Sequence, residues 1–292
     1  MERVRAMHLD RRLPTSQLAT AAHAGLQDSA PRAALFALHA RVEGVGPDSW
    51  QDPTLAQVWG PRMAAYVVPA DAVGTFTLGL LPRDPDHRAW IVGLSDRILA
   101  VLDGAPMRSN RLFAALDDLP RPVVARAGAA AGRFVIRWDA RTTTVIPIER
   151  PDIDEEDARV DLARRYVAWF GRAGGAERFA RWAGVAVADA IQTWAKLDPG
   201  HEPREHDAVR GVRFLPFGDP FLYGRSRPAT EARETPGVIL VDGRRAGTWA
   251  RQQHHVTVRP STRLSTANVD RVQTAAGELS GPVGRPVRIT VA

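Results

Sequence analysis

Two stretches, AWIVGLSDRILAVL (residues 89–102) and RFVIRWDARTTTVIPI (133–148), decide the fold together with the helical runs between them. Ile91, Leu94, Ile98 and Leu102 recur at helical spacing, which predicts one buried stripe on one helix. A second helix is expected from a Ser109 or Asn110 cap through Leu119, and a third over Val123–Ala131 with Gly132 as its stop. RFVIRW and TTTVIPI have strand character, and Asp139-Ala140-Arg141 is short enough to join them as a hairpin. Three helices and a β-hairpin make a winged helix.

Residues 1–82 carry a related order of elements. Ser16–Gly25 reads as a short helical stretch, and Pro31 opens a helix whose Leu35, Leu38 and Val42 share a face before Gly44 and Gly46. TLAQVW (54–59) is expected to be helical, Met63–Val68 a strand, and Asp71–Leu80 a helix. From Pro151 the pattern starts again. Asp154 and Asp157 mark a helix start, Ala158, Leu162, Tyr166 and Trp169 form its buried stripe, and Gly171 ends it. Gly175–Ala183 and Val185–Leu197 supply two more helices. Asp242-Gly243 turns GVILVDGRRAGTWA (237–250) into a hairpin, and HHVTVRP (254–260), a helix near Asn268–Leu279 and VRITV (287–291) finish the chain. The expectation is an α+β protein of about three tandem winged-helix domains with β-hairpins, divided as 1–82, 83–150 and 151–292.

At 292 residues and 45% hydrophobic content the chain can bury more than one core. No apolar run approaches the roughly 18 to 20 residues of a membrane span, and MERVRAMHLDRR at the start lacks a signal-peptide apolar region. No membrane association and a cytoplasmic location are therefore expected. The absence of cysteine removes disulfides, thiolate metal sites and thiol nucleophiles. His201-Glu202-Pro203-Arg204-Glu205-His206 has metal-capable side chains, but Pro203 breaks the helical spacing that would align them, and His254-His255 falls in a strand where neighbours face apart. No dinucleotide, phosphate-loop or nucleophile-elbow signature occurs, so neither a metal nor a cofactor is expected.

Lys196 is the single lysine among 39 basic residues, and with 33 acidic residues the formal net charge is +6. Codon bias in a GC-rich genome accounts for such a skew; so does a partner with phosphate oxygens, which a guanidinium fork suits. Placement of the arginines favours double-stranded DNA as the partner. Arg133, Arg137 and Arg141 flank the hairpin of residues 133–148, and Arg244 and Arg245 follow the Asp-Gly turn. A hairpin tip with two arginines can enter a minor groove or lie along phosphates; the plainer reading is a solvated turn.

Five segments in order, GLQDSAPRAALFALHARVEGV (25–45), DPTLAQVWGPRMAAYVVPAD (52–71), ARRYVAWFGRAGGAERFARWAGV (163–185), FLPFGDPFLYGRSR (214–227) and GVILVDGRRAGTWARQ (237–252), resemble the winged-helix proteins of the AlkZ and YcaQ type. The similarity runs from about Leu13 to Leu279. It implies DNA glycosylase activity on alkylated purines or crosslinks, with tandem winged helices around a DNA-binding concavity. The family's catalytic signature, a glutamine, an intervening residue and then glutamine or aspartate, falls on Gln27, Asp28 and Ser29, so serine stands where the family has the longer side chain. Resemblance also implies a DNA or pocket contact at Arg62, for which a structural ion pair is the competing reading, and Tyr66 occupies a position where the family commonly has histidine. Gln27, with Ser29 or Asp28, would hold water beneath an oxocarbenium-like sugar. The competing readings are a helix cap formed by Asp28 or Ser29 and a DNA-binding lesion sensor or regulator without catalysis. A third possibility is a winged-helix scaffold for protein contacts, although no obligate protein partner is implied and a monomer is expected.

Overall fold

Asp84 and Pro85 begin the longest helix. The Asp84 carboxylate accepts from the His87 N–H at 2.8 Å, and Pro85 takes a first-turn position where no backbone donor is needed. The helix runs Pro85–Leu102 and buries Ile91, Leu94, Ile98 and Leu102, the stripe expected from their spacing. In the computed structural model, which describes residues 2–198, 210–223, 236–261 and 265–292, the chain forms two compact units. One comprises residues 23–25 and 53–201, the other residues 1–22, 26–52 and 202–292. The architecture is mixed α+β with largely antiparallel sheets.

In the first of these units the long helix is followed by the short strand Met107–Arg108, the helix Ser109–Ala115, a 3-10 run Pro122–Ala131 and the hairpin strands Phe134–Trp138 and Thr143–Pro147. Ser109 is the first helical residue and Arg108 precedes it without a side-chain cap, so the expected Ser109 or Asn110 cap does not form and the helix stops short of Leu119. Gly132 ends the 3-10 run at φ +73°, a conformation costly for other residues. At the hairpin turn Asp139 Oδ1 accepts from the Arg141 and Thr142 amides, which lets Ala140 sit at φ +72°. Leu94, Ile98, Leu112, Phe134, Ile136 and Val145 share one core with Trp59.

Trp59 belongs to a strand, Leu55–Trp59, where a helix was expected. It pairs antiparallel with Ala65–Pro69 through Leu55↔Pro69 and Trp59↔Ala65, and on its other edge Gln57 lies opposite Ile136. Val58 and Trp59 suit a buried strand, and its two strand neighbours override the weak helical preference of Leu-Ala-Gln. Downstream, Asp154 caps Glu155–Phe170 by accepting from the Glu156 and Asp157 amides, and Ala158, Leu162, Tyr166 and Trp169 are buried as expected. Helices Gly175–Ala183 and Val187–Ala195 bring Phe179, Trp182 and Trp194 against Tyr166.

The other unit joins the chain's two ends. Its five-stranded sheet has the order Arg288–Val291, His255–Pro260, Arg244–Gln252, Gly237–Val241, Val212–Leu215, with the first pair parallel. Asp242 and Gly243, at φ +49° and +74°, make the tight turn read from the sequence. Phe36 of the helix Ala33–Arg41 packs with Trp249, Val256 and Val258 of the sheet and Val272 and Ala276 of the helix Thr266–Gly277. This long-range packing cuts across the expected blocks: residues 26–52 cluster with the C-terminal sheet, while residues 53–82 cluster with the middle of the chain. Arg32, at φ +65°, precedes the motif helix, which begins at Ala33 and not at Pro31, and Val42 is already extended. No described helix is long and apolar enough to cross a membrane.

His39 sits inside this unit, almost inaccessible, with Nδ1 unpartnered among the described residues. Burial, reinforced by the positive charges of Arg12 and Arg213, lowers its pKa from the ordinary 6.5 to about 3. The folded chain therefore binds fewer protons here than the unfolded chain between these values, and stability falls as pH drops through that window. We expect the urea midpoint of the wild type to fall more between about pH 7 and pH 5 than that of His39→Leu; equal losses would show that His39 does not carry this acid sensitivity.

Candidate active site

Helix Ala33–Arg41 is buried along its whole length, and its N-terminal amides need acceptors. Asp28 supplies one. Its carboxylate is 1% exposed and Oδ1 accepts from the Ala34 N–H at 3.0 Å, so this side chain turns inward and anchors the helix start. Gln27 and Ser29 turn the other way and meet: Gln27 Nε2 donates to Ser29 Oγ at 2.9 Å, with Ser29 exposed and Gln27 half-buried. Of the three motif residues, the structure joins Gln27 and Ser29 and commits Asp28 to the helix.

At the opposite end of the same helix is a pair that the sequence reading missed. Arg41 and Asp219, both fully buried, form a two-pronged ion pair with N···O distances of 2.7 and 2.9 Å. Arg41 Nη1 also donates to the Ala37 carbonyl, and Asp219 Oδ1 accepts from the Phe221 N–H. The pair fixes the Pro216–Asp219 turn beside the motif: a Cβ on Gly218, at φ +82°, would lie 3.9 Å from Gln27 Cδ. In the sequence, Arg41 reads as an ordinary basic residue at a helix end; the only signal was the FLPFGDPFLYG run in which Asp219 sits.

A cavity of about 560 Å³ opens next to Ala30 and Pro31 and is lined by Phe36, Phe217, Trp249, Arg251 and Arg259, among others. Its aromatic wall is rigid: Trp249 Nε1 donates to the Leu215 carbonyl at 2.8 Å, and the Trp249 ring meets Phe36 and Phe214 edge-on, each with centroids 5.6 Å apart. Gly237 permits this arrangement, since a Cβ there would come 2.1 Å from Trp249 Nε1.

Arg62 and Tyr66 belong to the other unit. Arg62, at φ +57°, donates through Nη1 to the Trp182 carbonyl and through Nη2 to Tyr66 Oη at 3.2 Å. Tyr66 is 2% exposed, and Gly184 leaves room for the Arg62 backbone, which would lie about 3 Å from any Cβ there. Both residues thus hold the end of the helix Gly175–Ala183 in place. Arg133 pairs with Asp96, whereas Arg137 is exposed on its hairpin strand. Arg244 and Arg245 are exposed just past the Asp242-Gly243 turn, which Arg271 pins by an ion pair of 2.6 Å to Asp242. Neither makes an ion pair with a described residue.

Among the described residues no group of three or more His, Cys, Asp or Glu side chains is placed to hold a metal ion. His254 lies in a turn and not in a strand, while His255 Nε2 meets Thr290 Oγ1 at 2.8 Å. The segment His201–His206 lies outside the described residues.

A family model described as DNA glycosylase AlkZ-like matches residues 2–281. The chain belongs to the AlkZ-like DNA glycosylase family. The Streptomyces sahachiroi DNA glycosylase AlkZ has a similar fold, with a TM-score of 0.64 over 99% of this chain and 97% of that one at 15% sequence identity. No curated protein sequence matches the chain. The family match and the similar fold both extend over nearly the whole chain.

Because Arg41 and Asp219 are buried together, removing one leaves the other as an uncompensated charge. Arg41→Met is expected to destabilise the protein by about 3–5 kcal/mol, measured by urea denaturation. Arg41→Met combined with Asp219→Leu should recover most of that loss, and a single variant as stable as the wild type would show that the pair does not hold the turn.

Proposed function

We propose that this chain is a DNA glycosylase that hydrolyses the N-glycosidic bond of a cationic N-alkylpurine in duplex DNA. The observation that carries this reading is the Gln27–Ser29 hydrogen bond, which holds two neutral polar side chains together toward solvent at the family's motif. Alkylation has already placed positive charge on the leaving base, so the chain has to position a water and stabilise an oxocarbenium-like sugar. A glutamine amide and a serine hydroxyl each have donor and acceptor capacity toward one water. Asp28 is assigned to the helix start and not to the sugar, because its carboxylate is buried against the Ala34 amide.

Winged-helix modules are part of the same proposal. The order helix, short strand, helix, 3-10 run and two-stranded hairpin over residues 85–147, with Met107–Arg108 paired to Thr143–Pro147, supports that reading for the central segment. Arg137, Arg244 and Arg245 are assigned to strand contacts because they are exposed on or beside hairpins; Arg62 and Tyr66 are assigned to the frame of their unit. The second reading, a lesion-binding protein without catalysis, is favoured by one feature: no carboxylate of the motif is available to face a developing cation.

Incubation with duplex containing 7-methylguanine separates the two. Abasic product is expected from the wild type, and Gln27→Ala should lower the rate about 100-fold while duplex affinity changes less than about two-fold. Binding without abasic product at protein excess selects the lesion-binding reading, and unimpaired release by Gln27→Ala refutes the site.

A further inference from the structure

The cavity beside the motif has a one-sided electrostatic character. None of the described residues that line it is acidic, and two are arginines. Arg251 and Arg259 make no ion pair among the described residues, in contrast to Arg12, Arg41 and Arg271 of the same unit. Arg251 is prearranged: its Nη1 donates to the Gln253 carbonyl at 2.5 Å, and its guanidinium carbon lies 5.1 Å from the centre of the Phe36 ring. Burial first, and the charge of Arg285 second, lower its pKa, so an additional cation nearby would be resisted and an anion welcomed.

Strand register sets the two arginines on opposite faces of the sheet, Arg251 with Trp249 and Val256 and Arg259 with Thr248 and Thr257, and the cavity reaches both around an open strand edge. Gly237 pairs with Trp249, the last pairing on that edge of the strand Arg244–Gln252, so Ala250, Arg251 and Gln252 run past the end of their neighbour. On the opposite edge Ala250 pairs with Thr257 and Arg251 with Val256. Side chains from both faces of this overhang therefore line the cavity, and Arg259 joins them from the adjacent strand.

We infer that this cavity takes the backbone of the DNA strand, with neighbouring phosphodiesters met by Arg251 and Arg259, and that the cationic base lies outside it. The inference rests on the DNA-acting function proposed above and specifies how that site meets its substrate. A positively charged base entering a pocket with two arginines and no acid among its described lining would meet repulsion where a phosphate gains charge-assisted hydrogen bonds. Ala30 and Pro31 are shared between the cavity wall and the segment that follows Ser29, which puts the held backbone next to the Gln27–Ser29 pair. Gripping the backbone there would fix the position of the sugar relative to the positioned water, leaving the base free to depart.

Fluorescence anisotropy with undamaged duplex over a range of KCl concentrations tests this without relying on excision. Arg259→Gln, at an exposed strand position, should bind more weakly and reduce the slope of log K against log salt by about 0.9. Arg251→Lys should retain the slope but lose affinity, because the charge remains while the fork does not. With duplexes carrying one methylphosphonate walked along a strand, the wild type should lose affinity at two neighbouring positions, and Arg259→Gln should lose nothing more at one of them while keeping the loss at the other. An unchanged slope in Arg259→Gln, indifference of the wild type to every methylphosphonate, or competition by inorganic phosphate that is identical in wild type and Arg259→Gln overturns the inference. Absence of any wild-type binding to duplex removes both this inference and the function it rests on, whereas binding with an unchanged slope removes this one alone.

Discussion

The buried pair between Arg41 and Asp219 is the constraint on which the motif's surroundings depend. Each charge costs several kcal/mol to take out of water, and attraction offsets that cost only when geometry and further hydrogen bonds are good. Here both guanidinium prongs meet both carboxylate oxygens, Ala37 accepts a third bond and the Phe221 amide donates to the acid. Arg41 is also the last residue of its helix, where the dipole favours a cation. A pairing that spans 178 residues in sequence thus has a further hydrogen bond at each end, and it sets the Pro216–Asp219 turn against the segment that carries Gln27.

The helix held in this way then dictates the fates of the three motif residues. Its first amides require an acceptor, and Asp28 is spent on Ala34; with Asp28 turned inward, Gln27 and Ser29 on either side face outward and can reach each other. With that carboxylate committed to the helix start, the two groups left facing outward are neutral, an amide and a hydroxyl, each with donor and acceptor capacity.

Legibility of the sequence followed the range of the interactions. Local signals sufficed for the Asp154 cap, the stripe Ile91, Leu94, Ile98 and Leu102, the Gly132 stop and the Asp242-Gly243 turn, because each depends on neighbours a few residues away. TLAQVW was misread since its strand state comes from pairing with Ala65–Pro69 and with the segment around Ile136, the latter almost 80 residues downstream. The two-ended unit was invisible for the same reason: nothing near Phe36 announces that it will pack on Trp249. The resemblance named Gln27, Asp28 and Ser29 as candidates, but the direction of Asp28 required the helix it caps, and Arg41 looked like any solvated helix end until Asp219 was placed beside it.

The arginine excess acquires a physical meaning once its partners are known. In the unit containing the middle of the chain, Arg83, Arg88, Arg97, Arg133, Arg150, Arg159 and Arg165 are each paired with a carboxylate. Those charges are largely neutralised where they stand, and a lysine could supply the charge though not the forked geometry by which Arg88 engages Glu155. On the five-stranded sheet, by contrast, Arg244, Arg245, Arg251 and Arg259 form no ion pair among the described residues. A net charge of +6 spread evenly would give a weak field over a chain of this size, but unpaired arginines on two neighbouring strands concentrate it. Codon bias can supply arginine in place of lysine throughout; the fold then decides which arginines meet carboxylates, and Arg244, Arg245, Arg251 and Arg259 stand on two adjacent strands without such a partner among the described residues.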